Sequence, residues 1–479
     1  MKKFAAFALC LLFQPLFLPA QIPDRSAPPP PGPPLPLRLP AVQSMKLSNG
    51  MPVLIVEKHD VPLVELRLMV EAGTAHDPDA TPGLASMTAS MLTEGAAGRS
   101  ALELAAENDI LGASIGASAG YHTAVISLFT PLSKLEEALP LFADVVLQPD
   151  FPPQELERLR KDRLTSLRQW HDDARAVASI QFNAVLYGNS HPYGRLAGGT
   201  EKSLRAMKIE NLREFYGKYY HAGGAVLIAA GDVTAASLVP KLQSLFGSWR
   251  SGPPVQASIP EAKQVSSRRI TLVHKPGAAQ SEIRIGRIGV PRLTEDYYAL
   301  VVMNTILGGS FASRLNQNLR EKHGYTYGAR SSFSFRRSAG PFLAAAAVQT
   351  AVTDKAVAEF MKELRGMLEP VPEQELERAK NYIAYGYPGS FETAGQMAVE
   401  LAQLAEFGLP YDLFNSFTER IRAVTREDVQ RVARAYLDPE RVEIVVVGDR
   451  KEIEYGLRAL KLGKVRLLDV EDVLGKKPE

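Results

Sequence analysis

A period of 217 residues governs this chain. Lys58 and Lys275 stand 217 residues apart in matching strand-rich stretches, KLSNGMPVLIVEKHDVPLVELRLMVEAG and ITLVHKPGAAQSEIRIGRIGV. Gly231 and Gly448 stand 217 apart in a second matching pair, EFYGKYYHAGGAVLIAAGDV and RVARAYLDPERVEIVVVGDR. Equal offsets at two distant places mark a tandem duplication, and a period this long means two homologous domains rather than a solenoid. Within the first copy, Asn49-Gly50 supplies a hairpin turn between β-branched and leucine-rich runs. Helical patterns follow in TPGLASMTASML and SALELAAENDILG, then a strand pair in GASIGASAGYHTAVISLFT and a helix in LSKLEEALPLFADVVLQ. This order predicts an α+β fold with helices on one face of each sheet. Two such α/β-layer domains in tandem form a clamshell, and the cleft between them is the place for a ligand.

The N-terminus predicts export. MKKFAAFALCLLFQPLFLPAQ has two lysines, an apolar run and a small residue, Ala20, before Gln21, the layout of a secretory signal over residues 1–20. Gln14 and Pro15 interrupt the run, which is short for a membrane span. The single cysteine, Cys10, falls inside this segment, so the mature chain has neither disulfides nor thiolate metal ligands. Residues 21–41, with APPPPGPPLPLRLP, read as a semi-rigid polyproline tether. The first domain is then expected over 42–250, a Pro-, Ser- and Ala-rich linker over 251–264, the second domain over 265–460 and a tail over 461–479. A net charge of +2 gives no electrostatic case for nucleic acid. The expected location is periplasmic or extracellular.

From Lys46 to about Leu460 the chain resembles the pitrilysin, insulin-degrading and mitochondrial-processing peptidases, the inverted zincins. The segments that carry the resemblance include TPGLASMTASMLTEG, LGASIGAS, FPPQELERLRKDRLTSLRQWHDDA, HPYGRLAGGTEKSL and LGGSFASRLNQNLREKHGYTYG. The resemblance implies an enclosed peptide-binding chamber. In active members the helix after Gly-Leu-Ala carries H-x-x-E-H, two imidazoles one turn apart on Zn²⁺ and a glutamate that activates water. Here those positions hold Ser86, Ala89 and Ser90. The last family ligand, a glutamate on a later helix, falls at Ser166, 76 residues after Ser90. All four positions are degenerate, so no zinc or other cofactor is expected in this chain. None of the eight histidines stands three or four residues from another, which excludes a two-histidine helical site elsewhere. Ser90 has no G-x-S-x-G elbow around it to make it a nucleophile. The helix survives as scaffold, with Thr81 expected as its N-cap and Pro82 at its first helical position. His191, in SHPYG, is expected to pack around a helix terminus.

The second half keeps more of the family pattern. LGGSFASRLNQNLREKHGYTYGARSSF matches a motif in which an arginine, and a tyrosine seven residues later, reach into the cleft; these are Arg320 and Tyr327. A guanidinium fork and a phenol both suit a peptide carbonyl that gains negative charge. The plainer alternative makes Arg320 an ion-pair partner of Glu321 and Tyr327 a core aromatic. Gly308 and Gly309 are expected to form a close turn beside the same cleft and the bound substrate. In the processing-peptidase branch one chain carries zinc and the other supplies the Arg/Tyr pair. The resemblance therefore implies a non-zinc subunit that acts with a homologous zinc-binding partner on peptide substrates. The alternative is a pseudo-peptidase that binds peptides or scaffolds a complex without hydrolysis.

Overall fold

The computed structural model describes Gly32 and residues 39–478. The signal segment, Cys10 and all but the end of the tether lie outside the described residues. Fourteen strands occur in chain order: β1 Gln43–Lys46, β2 Pro52–Glu57, β3 Leu63–Val70, β4 Gly95–Ala96, β5 Arg99–Ser100, β6 Ser114–Ala119, β7 Ala124–Pro131, β8 Ala225–Gly231, β9 Arg269–His274, β10 Gln280–Ile288, β11 Ala329–Phe333, β12 Pro341–Gln349, β13 Glu443–Gly448 and β14 Lys464–Asp469. Four of the helices position the features that follow: α1 Leu84–Met91, α2 Pro153–Trp170, α3 Ala174–Tyr187 and α4 Ala394–Phe407.

Twelve of these strands build two six-stranded sheets, ordered β1-β2-β8-β3-β7-β6 and β11-β12-β10-β13-β9-β14, and β4 and β5 form a separate two-stranded pair. The duplication is visible in their hydrogen bonds. Lys58 donates its N–H to Gly231 O at 2.8 Å, and Lys275 donates to Gly448 O at 2.8 Å. Asn49-Gly50 turns the β1–β2 hairpin, with Gly50 at φ +89°, where glycine carries no Cβ penalty. β2 and β3 are separated by β8, which runs parallel to β2 and antiparallel to β3.

Helices cover both faces of each sheet, not one, and the second cover comes from the opposite half. Along β2, Val53 and Ile55 face the first half's own helices, while Leu54 and Val56 face α4. Along β13, Ile444 and Val446 face the second half's helices, while Val445 and Val447 face α3. Because side chains alternate along a strand, an unbroken apolar run requires both faces to be buried. α3 meets this need with Val177, Ala178 and Phe182 on the second sheet, and α4 with Met397, Ala398 and Leu401 on the first. Gly286 makes room for the exchange: a Cβ there would lie 2.8 Å from Phe182 Cζ. The described residues 39–478 accordingly form one compact unit.

The expected tail at 461–479 is corrected by the structure. β14 pairs in parallel with β9 and fills the edge position that β1 fills in the first sheet. Val470 and Val473 just after it pack on the α3 cluster. The second domain therefore continues through this segment, because β9 would otherwise expose its outer edge.

A loop locks the halves together. Residues 334–340, between β11 and β12, reach into the first half. There the Arg336 guanidinium carbon lies 4.1 Å from the Tyr121 ring centroid, 4.5 Å from Tyr193 and 5.7 Å from Tyr187. Arg337 binds Glu71 through both Nη atoms at 2.5 Å each. Tyr187 Oη donates to Ala339 O at 3.0 Å, and Tyr193 Oη accepts from Ser338 N at 3.3 Å. His122 Nε2 accepts from Tyr193 Oη at 3.1 Å and from Arg337 N at 3.4 Å. The irregular 251–264 segment is pinned by His76 Nε2, which donates to Val255 O at 2.8 Å, and by His191 Nε2, which donates to Pro260 O at 3.0 Å. His191 thus packs just past the end of α3 and holds the linker.

This network sets an acid limit. Burial, reinforced by Arg337 and Arg336 nearby, pushes the His122 imidazole from 6.5 down to about 3. Between those values the unfolded chain takes up a proton that the folded chain refuses. The contribution is therefore intact above pH 6.5 and is lost as pH falls toward 3, at about 1.4 kcal/mol per pH unit. Burial lowers His76 and His191 in the same direction. Asp77, whose buried carboxyl is raised to about 7, acts with the opposite sign over much of this range, so the His122 contribution is read as a difference. In urea unfolding the wild-type stability limb from pH 6.5 toward 3 should descend more steeply than that of His122→Gln, which keeps an acceptor. An equally steep limb in the variant would remove His122 as a cause.

Candidate functional site

The degenerate zinc positions sit where α1 meets α2. Ser86 and Ser90 lie one turn apart on α1, and Ser90 Oγ donates to Ser86 O at 3.0 Å. Ala89 is fully buried. Ser166 lies on α2, where its Oγ donates to its own helix, to Asp162 O at 3.0 Å. One turn before it, Arg163 sends Nη2 to Ser90 Oγ at 3.0 Å. A guanidinium therefore stands against the helix position where the family holds a metal-bound imidazole. Burial, offset by the charge of Asp77, lowers Arg163 to about 10, so it remains a cation at neutral pH. The residues present do not fit zinc: three hydroxyl side chains and one methyl replace the three ligands and the base, and the adjoining charge is positive. Among the described residues no cluster of three His, Cys, Asp or Glu side chains could hold a metal ion.

The start of α1 departs from the sequence expectation. Thr81 does not cap it, and Gly83, at φ +89°, precedes its first residue, Leu84. Asp77 reaches across instead, accepting from Gly83 N and Ala85 N at 2.7 Å each. Burial raises its carboxyl to about 7 against these two donors. A cap six residues upstream lies outside the local pattern that marks N-caps in sequence.

The two residues expected in the cleft stand on different segments, Arg320 on a helical one and Tyr327 in the loop before β11. Arg320 lies in the π-helical segment Gln317–Lys322, 4.7 Å above the Phe311 ring and 3.4 Å from Glu321. The ion pair with Glu321 anticipated from sequence is therefore present. The core alternative for Tyr327 is not: its ring is 91% exposed. No hydrogen bond joins Arg320 to Tyr327 among the described residues. Gly308 is buried against β11, where a Cβ would lie 2.3 Å from Ser331 N, and at Gly309 a Cβ would lie 2.8 Å from Asn304 Nδ2. Both close approaches are to the protein's own chain: Gly308 lets β11 come near, and Gly309 packs against Asn304 one turn earlier.

Tyr327 stands over a pocket of about 280 Å³ on the inner face of the second sheet, with Arg175, Glu282, Arg284 and Arg330 in its wall. These arginines escape a sequence reading because they come from three distant elements, α3, β10 and β11. A larger pocket of about 570 Å³ lies between the halves beside Glu71, His76, His122 and Arg337. Its ionic groups are already engaged, since Glu71 and Arg337 pair with each other and His122 accepts from the loop. It belongs to the lock.

The description "Insulinase (Peptidase family M16)" matches residues 52–191 and "Peptidase M16 inactive domain" matches residues 206–383. An uncharacterized zinc protease of Mycobacterium bovis is 29% identical over 402 residues, covering 82% of this chain and 90% of its own. A non-peptidase homolog of Helicobacter pylori is 22% identical, with 84% and 93% covered. The crystal structure of a peptidase M16 inactive domain from Pseudomonas fluorescens superposes with a TM-score of 0.80 at 28% identity, covering 85% of this chain and 98% of that one.

The site chemistry sets an expectation for metal. The purified protein should retain no stoichiometric zinc after dialysis against chelator. Writing histidines back at Ser86 and Ser90 with Glu at Ala89 should not restore it while Arg163 and Ser166 remain. Elemental analysis of both proteins checks this; about one zinc per chain in the wild type would contradict the charge argument.

Proposed function

Because this chain belongs to the M16 peptidase family and its zinc positions are degenerate, we propose that it is the non-zinc subunit of an exported heterodimeric metallopeptidase. In this reading the homologous partner carries zinc, and Arg320 and Tyr327 complete the shared site for peptide substrates. The observation that carries it is the exposure of Tyr327. A tyrosine held 91% exposed beside an inner-face pocket contributes little to packing, yet it presents a phenol donor to the cleft. Such a donor stabilises a peptide carbonyl most as negative charge develops on its oxygen. Arg320 keeps further N–H groups beyond its 3.4 Å contact with Glu321. The secretory-type N-terminus supports an envelope or extracellular setting.

A second reading is peptide capture without hydrolysis. It is favoured by the cation beside Ser90 and by a 22% identical relative described as a non-peptidase homolog. The two readings part on assembly. The first expects co-elution with an H-x-x-E-H partner from native-host extracts, through an interface above roughly 2,000 Å².

In the reconstituted complex, Tyr327→Phe and Arg320→Ala should leave assembly and zinc content unchanged and lower peptide turnover by about a hundredfold or more. Tyr327→Phe is the cleaner variant, since Arg320 also covers the Phe311 ring. Wild-type turnover by both variants would make the pair structural and refute the shared site.

A further inference from the structure

The pocket beneath Tyr327 carries a charge that the fold does not require. Arg284 on β10 is the register partner of Ala345 on β12, and Ala345 is the register partner of Arg330 on β11. The three side chains therefore share one face of the sheet. The small Ala345 leaves a gap between two arginine-bearing strands about 10 Å apart. Arg175, the second residue of α3, borders the same space. Glu282 is the only carboxylate in the wall; it accepts from Arg284 Nη1 at 2.8 Å and lies 3.6 Å from Arg175 Nε. Three guanidiniums against one carboxylate leave the pocket positive. The Arg330 side chain makes no hydrogen bond or ion pair among the described residues, and the Arg175 side chain is 65% exposed.

The duplication supplies an internal control. The corresponding row of the first sheet is Arg67, Ser127 and Gly116. The second residue of α4, in the place of Arg175, is Gly395. There the acidic–basic pair persists, with Arg67 Nε 3.1 Å from Glu65 Oε1, but both other arginine positions are glycine. The architecture thus uses the Glu–Arg pair twice and the two additional arginines once, on the side that presents Tyr327.

We infer that this pocket binds a carboxylate of a peptide lying past Tyr327, either an acidic side chain or a free C-terminus. Arginine forks match carboxylates in a bidentate, planar geometry, and a partly desolvated site strengthens such bonds. The inference rests on the reading above in taking a peptide as the ligand. It does not need the zinc subunit.

The test uses the full chain alone and short N-acetylated alanine–glycine peptides bearing a neutral dye, followed by fluorescence anisotropy. One peptide has a central Glu and an amidated C-terminus, the second has Gln in its place, and the third has Gln and a free C-terminal carboxylate. At least one carboxylate-bearing peptide should bind about tenfold tighter than the neutral one, and which of the two does so identifies the source. The preference should shrink with added salt and fall below roughly threefold in Arg175→Ala/Arg330→Ala, whose exposed positions leave folding intact. Equal affinity for all three peptides, binding of none, or an undiminished preference in the double variant would overturn the inference. A complex that cleaves normally with Tyr327→Phe would refute the shared site without changing this result.

Discussion

The positively charged loop between β11 and β12 holds the molecule in its working shape. Arg336 lies among three tyrosines of the first half, and Arg337 is chelated by Glu71. Each cation–π contact is worth about 0.5–2 kcal/mol, depending on how far it is desolvated. Their weight comes from position. β11 runs from just after Tyr327 to just before this loop, so anchoring the loop fixes the far end of the strand that carries the pocket wall. The linker is held by histidines that donate to its carbonyls. His191 Nδ1 also accepts from Tyr193 N and His122 Nε2 accepts from Arg337 N, so these two rings must stay neutral, which couples the lock to acidity.

Much of the scaffold was legible in the sequence because duplication writes the same pattern twice. The 217-residue offset survives in the structure as the same backbone hydrogen bond from Lys58 and from Lys275. The β1–β2 and β6–β7 hairpins follow from turn chemistry and alternation. What local pattern cannot carry is the choice of partner. The apolar stripes of α3 and α4 show that they cover a sheet, and nothing in their spacing says that the sheet belongs to the other half. The same limit hid β14, whose weak alternation matters only once β9 offers an edge, and Asp77, whose capping role depends on a turn that brings it back over α1.

At the candidate site the legible part was loss and the illegible part was replacement. Ser86, Ala89, Ser90 and Ser166 show in sequence that ligands are missing. Only the fold shows Arg163 placing a guanidinium against Ser90. The substitution leaves α1 well bonded: Asp77 caps its start, Thr88 and Ser90 bond back to their own helix, and Ala89 fills the core. The helix keeps its structural duty with its chemistry removed. In the second half the reverse holds, since Tyr327 and Arg330 contribute little to packing and lie open to the cleft.

The traded helices bear on how such a chain could arise. A polypeptide of half this length could bury both faces of its sheet only by lending its cover helix to a second copy and borrowing one in return. A reciprocal dimer of half-length chains would satisfy the same geometry, and joining its two chains end to end would give the present topology without moving any helix. Once joined, the copies were no longer bound to change together. Charge stands in one cleft wall, with Arg175 and Arg330, while the matching positions of its twin hold Gly395 and Gly116.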